Sequence, residues 1–160
     1  MHISRFNILL ILLPVLFSSS LMLLGEPNDE KHIVWLKLAD GLKKAKESKT
    51  PMVVDFYTGG VCQRCKNLER DTYNDKEVIK QVSEKFIPIR INLDKLTKEE
   101  ENLGKKFEFD NDCLLLLLSY DEKLLADSKG GQLRFTDYLE PTLFKSKLQD
   151  ALKNKIYVEK

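Results

Sequence analysis

The chain has 160 residues, of which 42% are hydrophobic and 32% charged, so it suits one globular domain with a buried core and not a disordered or collagen-like chain. Lysine and arginine number 26 against 25 aspartate and glutamate residues. This balance argues against nucleic acid as a partner, because phosphate binding requires a local surplus of cations.

Residues 1–25 have the pattern of a secretory signal peptide. A basic start precedes an apolar stretch from Ile8 to Phe17, and small residues follow it, which predicts cleavage after Ser20 or Gly25. The alternative is a retained membrane anchor, since residues 6–25 are long enough to cross a bilayer, although a proline and three serines interrupt them. Both interpretations place the protein in the periplasm or elsewhere outside the cytoplasm, either released or tethered by this segment.

Residues 26–160 contain no repeat, low-complexity tract or linker, and we expect them to form one domain. Helical spacing of apolar residues, runs of β-branched and aromatic residues, and Gly or Pro punctuation delimit its elements. In chain order the predicted elements are a helix over His32–Ser48, a strand over Met52–Tyr57, a helix from Cys62 to about Thr72, a helix over Val78–Phe86, a strand over Phe86–Leu93, a helix over Lys98–Phe107, a strand over Leu114–Leu118, a weaker hairpin partner over Leu124–Leu133 turning at Gly130 and Gly131, and a helix over Pro141–Leu152. This order predicts an α/β sandwich with one mixed sheet, in which the five consecutive leucines form a strand buried on both faces.

Cys62 and Cys65 form a C-x-x-C motif where a predicted strand turns into a predicted helix. Three-residue spacing on a helix places both side chains on one face, about 5 to 6 Å apart, which is near enough to close a disulfide. The first cysteine lies at the helix N-terminus, where unpaired backbone N–H groups favour a thiolate, and Arg64 and Lys66 add to that bias. We therefore predict Cys62 as the nucleophile and Cys65 as the resolving thiol.

Two other interpretations of the motif remain. A zinc site would need a second pair of ligands, but there is no second C-x-x-C, and the two histidines, His2 and His32, are remote in sequence. The second interpretation is a purely structural disulfide, although a four-residue ring constrains little of the unfolded chain and so adds little to the stability of the fold. The strand before the motif and the helix after it favour redox activity.

Several segments together resemble a known family. These segments are PMVVDFY at 51–57, VCQRCK at 61–66, LERDTYNDKEV at 68–78, IRINLD at 89–94 and the closing helix at 144–152. They are similar to thioredoxin-like proteins of bacterial cell envelopes, especially the C-terminal periplasmic domain of DsbD-type thiol:disulfide interchange proteins. The resemblance implies a thioredoxin-like three-layer α/β/α sandwich with a central mixed sheet, and dithiol/disulfide exchange without a cofactor. We expect a monomer that reduces protein disulfides or relays electrons to them, with a membrane electron donor as a further partner.

The chain departs from the family at two places. Val61 stands where the family has Trp, and the family's cis-proline position falls on or near Cys113. The resemblance thus makes Asp112 and Cys113 the substrate-facing loop and brings Cys113 close to the C-x-x-C pair. Cys113 is then a small buried apolar residue, a third functional thiol, or a ligand that joins the pair in holding a soft metal such as Cu(I).

Asp55 and Arg90 are the remaining candidate site residues. In thioredoxin-like proteins a buried acid at the position of Asp55 accepts a proton from the second cysteine, and burial raises the pKa of such an acid. Arg90 falls where relatives carry a lysine near that acid, so the resemblance suggests an ion pair between them; the alternative is a solvated strand end. The competing hypothesis for the whole protein is a thioredoxin-fold binding module, for a protein partner or a soft metal, with little redox turnover.

Overall fold

The computed structural model describes residues 32–60, 62–109 and 113–158. The helices of this part of the chain are α1 Leu38–Ser48, α2 Gln63–Asn67, α3 Lys76–Lys85, α4 Lys98–Lys106 and α5 Pro141–Ala151. The strands are β1 Met52–Tyr57, β2 Ile87–Asn92, β3 Leu114–Leu118 and β4 Arg134–Phe135. A π-helical turn, Leu68–Thr72, continues α2, and a 3-10 turn, Leu93–Lys95, follows β2. Over the same residues, no helix combines the length and apolar character needed to cross a bilayer.

The strands form one mixed sheet in the order β2-β1-β3-β4. β1 runs parallel to β2 and antiparallel to β3, and β3 runs antiparallel to β4. Since Phe56 pairs with Leu114, the end of β1 lies beside the start of β3. This register brings the start of α2 and Cys113 to the same end of the sheet. The chain enters α2 just beyond the end of β1, and it enters β3 from the loop that carries Cys113.

Two apolar clusters cover the two faces of the sheet, because successive side chains of a strand point to opposite sides. Val53 and Leu115 pack with α3 and α5 on one face, whereas Val54 and Leu116 pack with α1 and α4 on the other. All five leucines of β3 are buried, as predicted for a strand covered on both faces. The predicted three-layer α/β/α sandwich with a mixed sheet is confirmed.

The first helix begins later than its apolar spacing predicts. It starts at Leu38 and not at His32. Leu36 instead forms a parallel bridge with Ile89, donating its backbone N–H to Pro88 at 2.9 Å and accepting from the N–H of Arg90 at 3.0 Å. The edge of β2 therefore holds this segment extended by long-range hydrogen bonds that local periodicity does not contain.

The predicted hairpin partner of β3 forms only in part. Leu124 bridges Leu118, and Ala126 bridges Gln132, but the continuous ladder with β3 is made later in the chain by β4. The turn lies where the glycines predict it, because Gly130 has a φ of +84°, in the left-handed region open to glycine.

Candidate functional site

The C-x-x-C pair lies at the start of α2. Cys62 is the N-cap of this helix, and its Sγ accepts a hydrogen bond from the backbone N–H of Cys65 at 3.0 Å. The thiol thus takes the place that a serine or aspartate oxygen holds at most helix N-termini. A charged sulfur accepts such a bond more strongly than a neutral one, so this geometry favours the thiolate of Cys62.

The two sulfurs of the pair differ in access to solvent. Cys62 is half-buried, whereas Cys65 is only 3% exposed. Their Cα atoms are 5.3 Å apart, within the usual range for a disulfide of about 4.4 to 6.8 Å, and their Sγ atoms are in contact. The arrangement can therefore present the sulfur of Cys62 to a partner while the sulfur of Cys65 stays buried beneath it.

Cys113 brings a third sulfur to the pair. It precedes β3, is 7% exposed, and its Sγ contacts the Sγ of Cys62. The Cα atoms of these two residues are 7.4 Å apart, beyond the usual disulfide range, so we assign the disulfide to Cys62 and Cys65. Asp112, the other residue predicted for the substrate-facing loop, lies outside the described residues.

The three cysteine sulfurs form a compact cluster. All three Sγ atoms lie within 4.8 Å of one another, and among residues 32–60, 62–109 and 113–158 no histidine or carboxylate joins them as a fourth ligand. Cysteine sulfur is a ligand for soft metals such as Cu(I), and for zinc when four ligands are available.

Asp55 is almost fully buried in β1, with 1% of its surface exposed. Neither of its carboxylate oxygens has a hydrogen-bond partner within the described part of the chain, although Nη2 of Arg90 lies 3.3 Å from Oδ2. Burial raises the pKa of Asp55 because the charged form loses its hydration; the charges of Arg90 and Arg64 oppose this shift and that of Glu69 adds to it. The structure thus places this acid in the interior and not at a solvated strand end.

Arg90 is held in a cage of aromatic and acidic side chains. Its guanidinium pairs with Glu69 at 2.8 Å as well as with Asp55. The guanidinium carbon lies 4.2 Å from the ring centroid of Trp35, with the rings of Tyr57 and Tyr73 at 4.8 and 5.4 Å. Such contacts offset part of the cost of removing a cation from water.

Glu69 and Tyr73 were not predicted as site residues. Glu69 lies one turn after Cys65, and this position relative to the motif was the only local signal for it. Tyr73 has a buried hydroxyl with no partner among the described residues, and burial raises the pKa of Tyr73 with a further contribution from the charge of Asp55. The ring of Tyr73 meets Arg90 only in the folded chain, and the sequence around Tyr73 does not reveal this contact.

Arg64 lies between the two cysteines, and its side chain turns toward β4 and the residues that follow it. Its Nε donates to the carbonyl of Asp137 at 3.0 Å, and its Nη2 donates to the carbonyl of Phe135 at 3.3 Å. Its charge also lowers the pKa of Asp55. Arg64 therefore tethers the first turn of α2 to the edge of the sheet and contributes positive charge to the buried region, while its predicted effect on the Cys62 thiolate stays a prediction.

A family model described as thioredoxin-like matches residues 34–121 of the chain. The chain is also similar to "Thioredoxin-related protein DsbJ" of Chlamydia pneumoniae, with 30% identity over 123 residues. That alignment covers 71% of this chain but 35% of the relative, so the chain spans about a third of the length of that protein.

Solved structures share the fold at lower sequence identity. A "DsbH Oxidoreductase" superposes with a TM-score of 0.62 at 18% identity, covering 79% of this chain and 89% of that one. The oxidised DsbD C-terminal domain of Neisseria meningitidis superposes with a TM-score of 0.52 at 20% identity, covering 76% of this chain and 100% of that one. The resemblance expected from the motifs is confirmed.

Proposed function

Because the chain belongs to the thioredoxin-like family, we propose that it is an exported thiol:disulfide oxidoreductase that exchanges disulfides with proteins through Cys62 and Cys65. One observation carries the proposal: a half-buried sulfur at a helix N-cap lies in contact with a buried one, at a Cα separation suited to a disulfide. A structural disulfide has no need of this asymmetry, whereas exchange requires an accessible sulfur and a protected resolving thiol.

In the reducing direction the proposed cycle has two exchange steps. The Cys62 thiolate attacks one sulfur of a substrate disulfide, which forms a mixed disulfide and releases the other substrate sulfur as a thiolate. Cys65 then attacks the Cys62 sulfur, closes the Cys62–Cys65 disulfide and releases the second substrate thiolate. Two electrons pass to the substrate. A separate donor, which we propose to lie in the membrane, must then supply two electrons to reduce the Cys62–Cys65 disulfide.

Asp55 is the proposed acceptor of the proton that Cys65 must lose before it attacks. The carboxylate is buried, and its oxygens have no other hydrogen-bond partner within the described residues, so they are available for a proton. Because its pKa is raised, Asp55 can hold this proton at a pH closer to neutral than an exposed acid could. Arg90 and Glu69 act as positioning residues that hold the charge around this acid.

Equilibration in glutathione buffers of graded potential tests both exchange and its direction. The samples are quenched with acid, unfolded and alkylated, and the thiols are counted by mass. We expect two thiols to disappear together with a midpoint near that of thioredoxin, about −270 mV, while the thiol of Cys113 remains. The matched Cys62→Ser variant should show no such transition.

Two other outcomes of this titration have defined meanings. A midpoint near about −120 mV, the value of DsbA, would contradict the reducing direction and make the protein an oxidant. If no pair of thiols titrates at any potential, the exchange hypothesis is wrong and the binding-module alternative takes its place.

Export is proposed from residues 1–25, which lie outside the described part of the chain. We expect the protein recovered from the envelope fraction of its cells to begin at Leu21 or Glu26, after removal of a signal peptide. N-terminal sequencing checks this. An intact N-terminus in the membrane fraction would show a retained anchor instead, and an intact N-terminus in the soluble cytoplasm would refute export.

A further inference from the structure

The third sulfur of the cluster is not needed by the exchange cycle. Cys113 lies at the start of β3, and the pairing of β1 with β3 brings it to the same end of the sheet as the start of α2. Its thiol is buried, and it faces the only half-buried sulfur of the three. Two independent segments of the fold therefore deliver three soft ligands to one point.

The Cα separations favour a shared ion over a second disulfide at Cys113. At 7.4 Å, the backbone atoms of Cys62 and Cys113 are too far apart for a disulfide without backbone movement. Three sulfurs that each lie about 2.3 Å from a metal ion in a plane are about 4 Å apart, so an ion binds only after reduction lets the Sγ atoms of Cys65 and Cys113 move away from that of Cys62. This spacing also lies within the 4.8 Å that encloses the cluster.

We propose that the reduced protein binds one Cu(I) ion through the thiolates of Cys62, Cys65 and Cys113. Thiolates select soft cations, so Mg²⁺ and Ca²⁺ do not fit this donor set. Structural zinc takes four ligands, and the described residues add no fourth histidine, cysteine or carboxylate to the cluster. Three sulfur ligands, with no fourth among the described residues, match Cu(I).

The charge near the site is compatible with such a complex. Three thiolates and one monovalent cation leave a net charge of −2, which requires positive charge nearby in a buried setting. Arg64 is the residue before Cys65, and its buried Nη1 has no hydrogen-bond partner among the described residues. Its other guanidinium nitrogens donate to the backbone carbonyls of Phe135, in β4, and Asp137, just after it, so this charge is held in place.

Copper binding and disulfide formation exclude each other at this site. When a two-electron acceptor such as a protein disulfide oxidises Cys62 and Cys65 to their disulfide, two of the three ligands are lost. The acceptor leaves as two thiolates, Cys113 keeps a single thiol, and Cu(I) is released without a change in its oxidation state. Only the reduced protein should therefore hold the ion.

Competition against the chromophoric chelator bicinchoninate under anaerobic conditions measures the proposed affinity. We expect the reduced wild-type protein to take up one Cu(I) per chain, and the Cys62–Cys65 disulfide form to take up none. Cys113→Ser should weaken binding by about 100-fold, with a similar loss for Cys65→Ser, because each removes one thiolate. X-ray absorption should find three sulfur neighbours in the wild type and two in Cys113→Ser.

A second variant separates ligand loss from misfolding. Cys113→Ala removes the thiol without adding a polar atom, and circular dichroism and thermal unfolding show whether either variant is folded. Equal Cu(I) affinity in wild type and a folded Cys113 variant would overturn the proposal, as would a wild-type preference for Zn²⁺ over Cu(I). Neither result depends on disulfide exchange with proteins, so failure of the copper site and failure of the proposed function are distinguishable.

Discussion

Replacing Cys65 with serine is expected to trap a partner covalently on Cys62. The variant keeps the accessible sulfur at the N-cap of α2 but loses the thiol whose Cα lies 5.3 Å away. An intramolecular thiol acts at an effective concentration far above that of thiols in solution, so its loss should lengthen the lifetime of the mixed disulfide by about a thousandfold or more. Incubation with a disulfide-bridged peptide of known mass, followed by intact-mass measurement, detects the adduct.

The position of Cys113 makes a double variant necessary. Its sulfur contacts that of Cys62, so it is the one other thiol in the chain that could resolve the adduct. Its Cα separation of 7.4 Å predicts that it does so poorly. The Cys65→Ser variant and the Cys65→Ser/Cys113→Ser variant should therefore accumulate the adduct to the same level, and Cys62→Ser should form none.

Each departure from this pattern has a different meaning. An adduct that accumulates only in the double variant would make Cys113 a second resolving thiol. An adduct of unchanged yield in Cys62→Ser would show that Cys62 is not the nucleophile. No adduct in any variant would remove the support for exchange with proteins.

Local sequence predicted most of the fold because most elements carry their own signal. The run of β-branched and aromatic residues in β1 and the five leucines of β3 are recognisable without knowledge of their neighbours. The C-x-x-C motif between a strand and a helix is likewise a local pattern, and the structure places it at the predicted junction.

The features that sequence did not predict depend on distant partners. Residues near Leu36 have helical spacing, but the edge of β2 takes their hydrogen bonds. The sequence indicates Arg64 only as a charge beside Cys62, because its anchors, the carbonyls of Phe135 and Asp137, are about 70 residues away in the sequence. The Arg90 cage joins aromatic residues from several segments, and only the folded chain brings those rings together.

Replacing Asp55 with asparagine is expected to stabilise the folded protein at neutral pH. Burial disfavours the charged carboxylate and raises its pKa in the folded state, despite the opposing charges of Arg90 and Arg64. The contribution of Asp55 to stability is therefore fully present below the pKa of the unfolded state, near 3.8, and is lost as the pH rises from there through the folded-state pKa. Asparagine carries no charge and so avoids this loss.

The size of the effect follows from the removal of a buried negative charge that the guanidinium of Arg90, 3.3 Å away, offsets only in part. We expect Asp55→Asn to raise the free energy of unfolding by about 1 to 3 kcal/mol at pH 7. The difference should shrink as the pH falls and vanish below about pH 4. Urea unfolding of the oxidised wild type and variant between pH 3 and pH 8 measures this difference.

Asp127 provides a control of opposite sign. Its carboxylate accepts hydrogen bonds from the backbone N–H groups of Gly131 and Lys129 and pairs with Lys147, and the bond from Gly131 is the main reason that its pKa is lowered. Its contribution to stability is present above the unfolded-state pKa and is lost on acidification. Asp127→Asn should therefore destabilise the protein at neutral pH, with a difference that also disappears in acid. If Asp55→Asn behaved like this control, the pairing with Arg90 would outweigh burial, and Asp55 would be a permanently charged anchor of the cage instead of a proton acceptor.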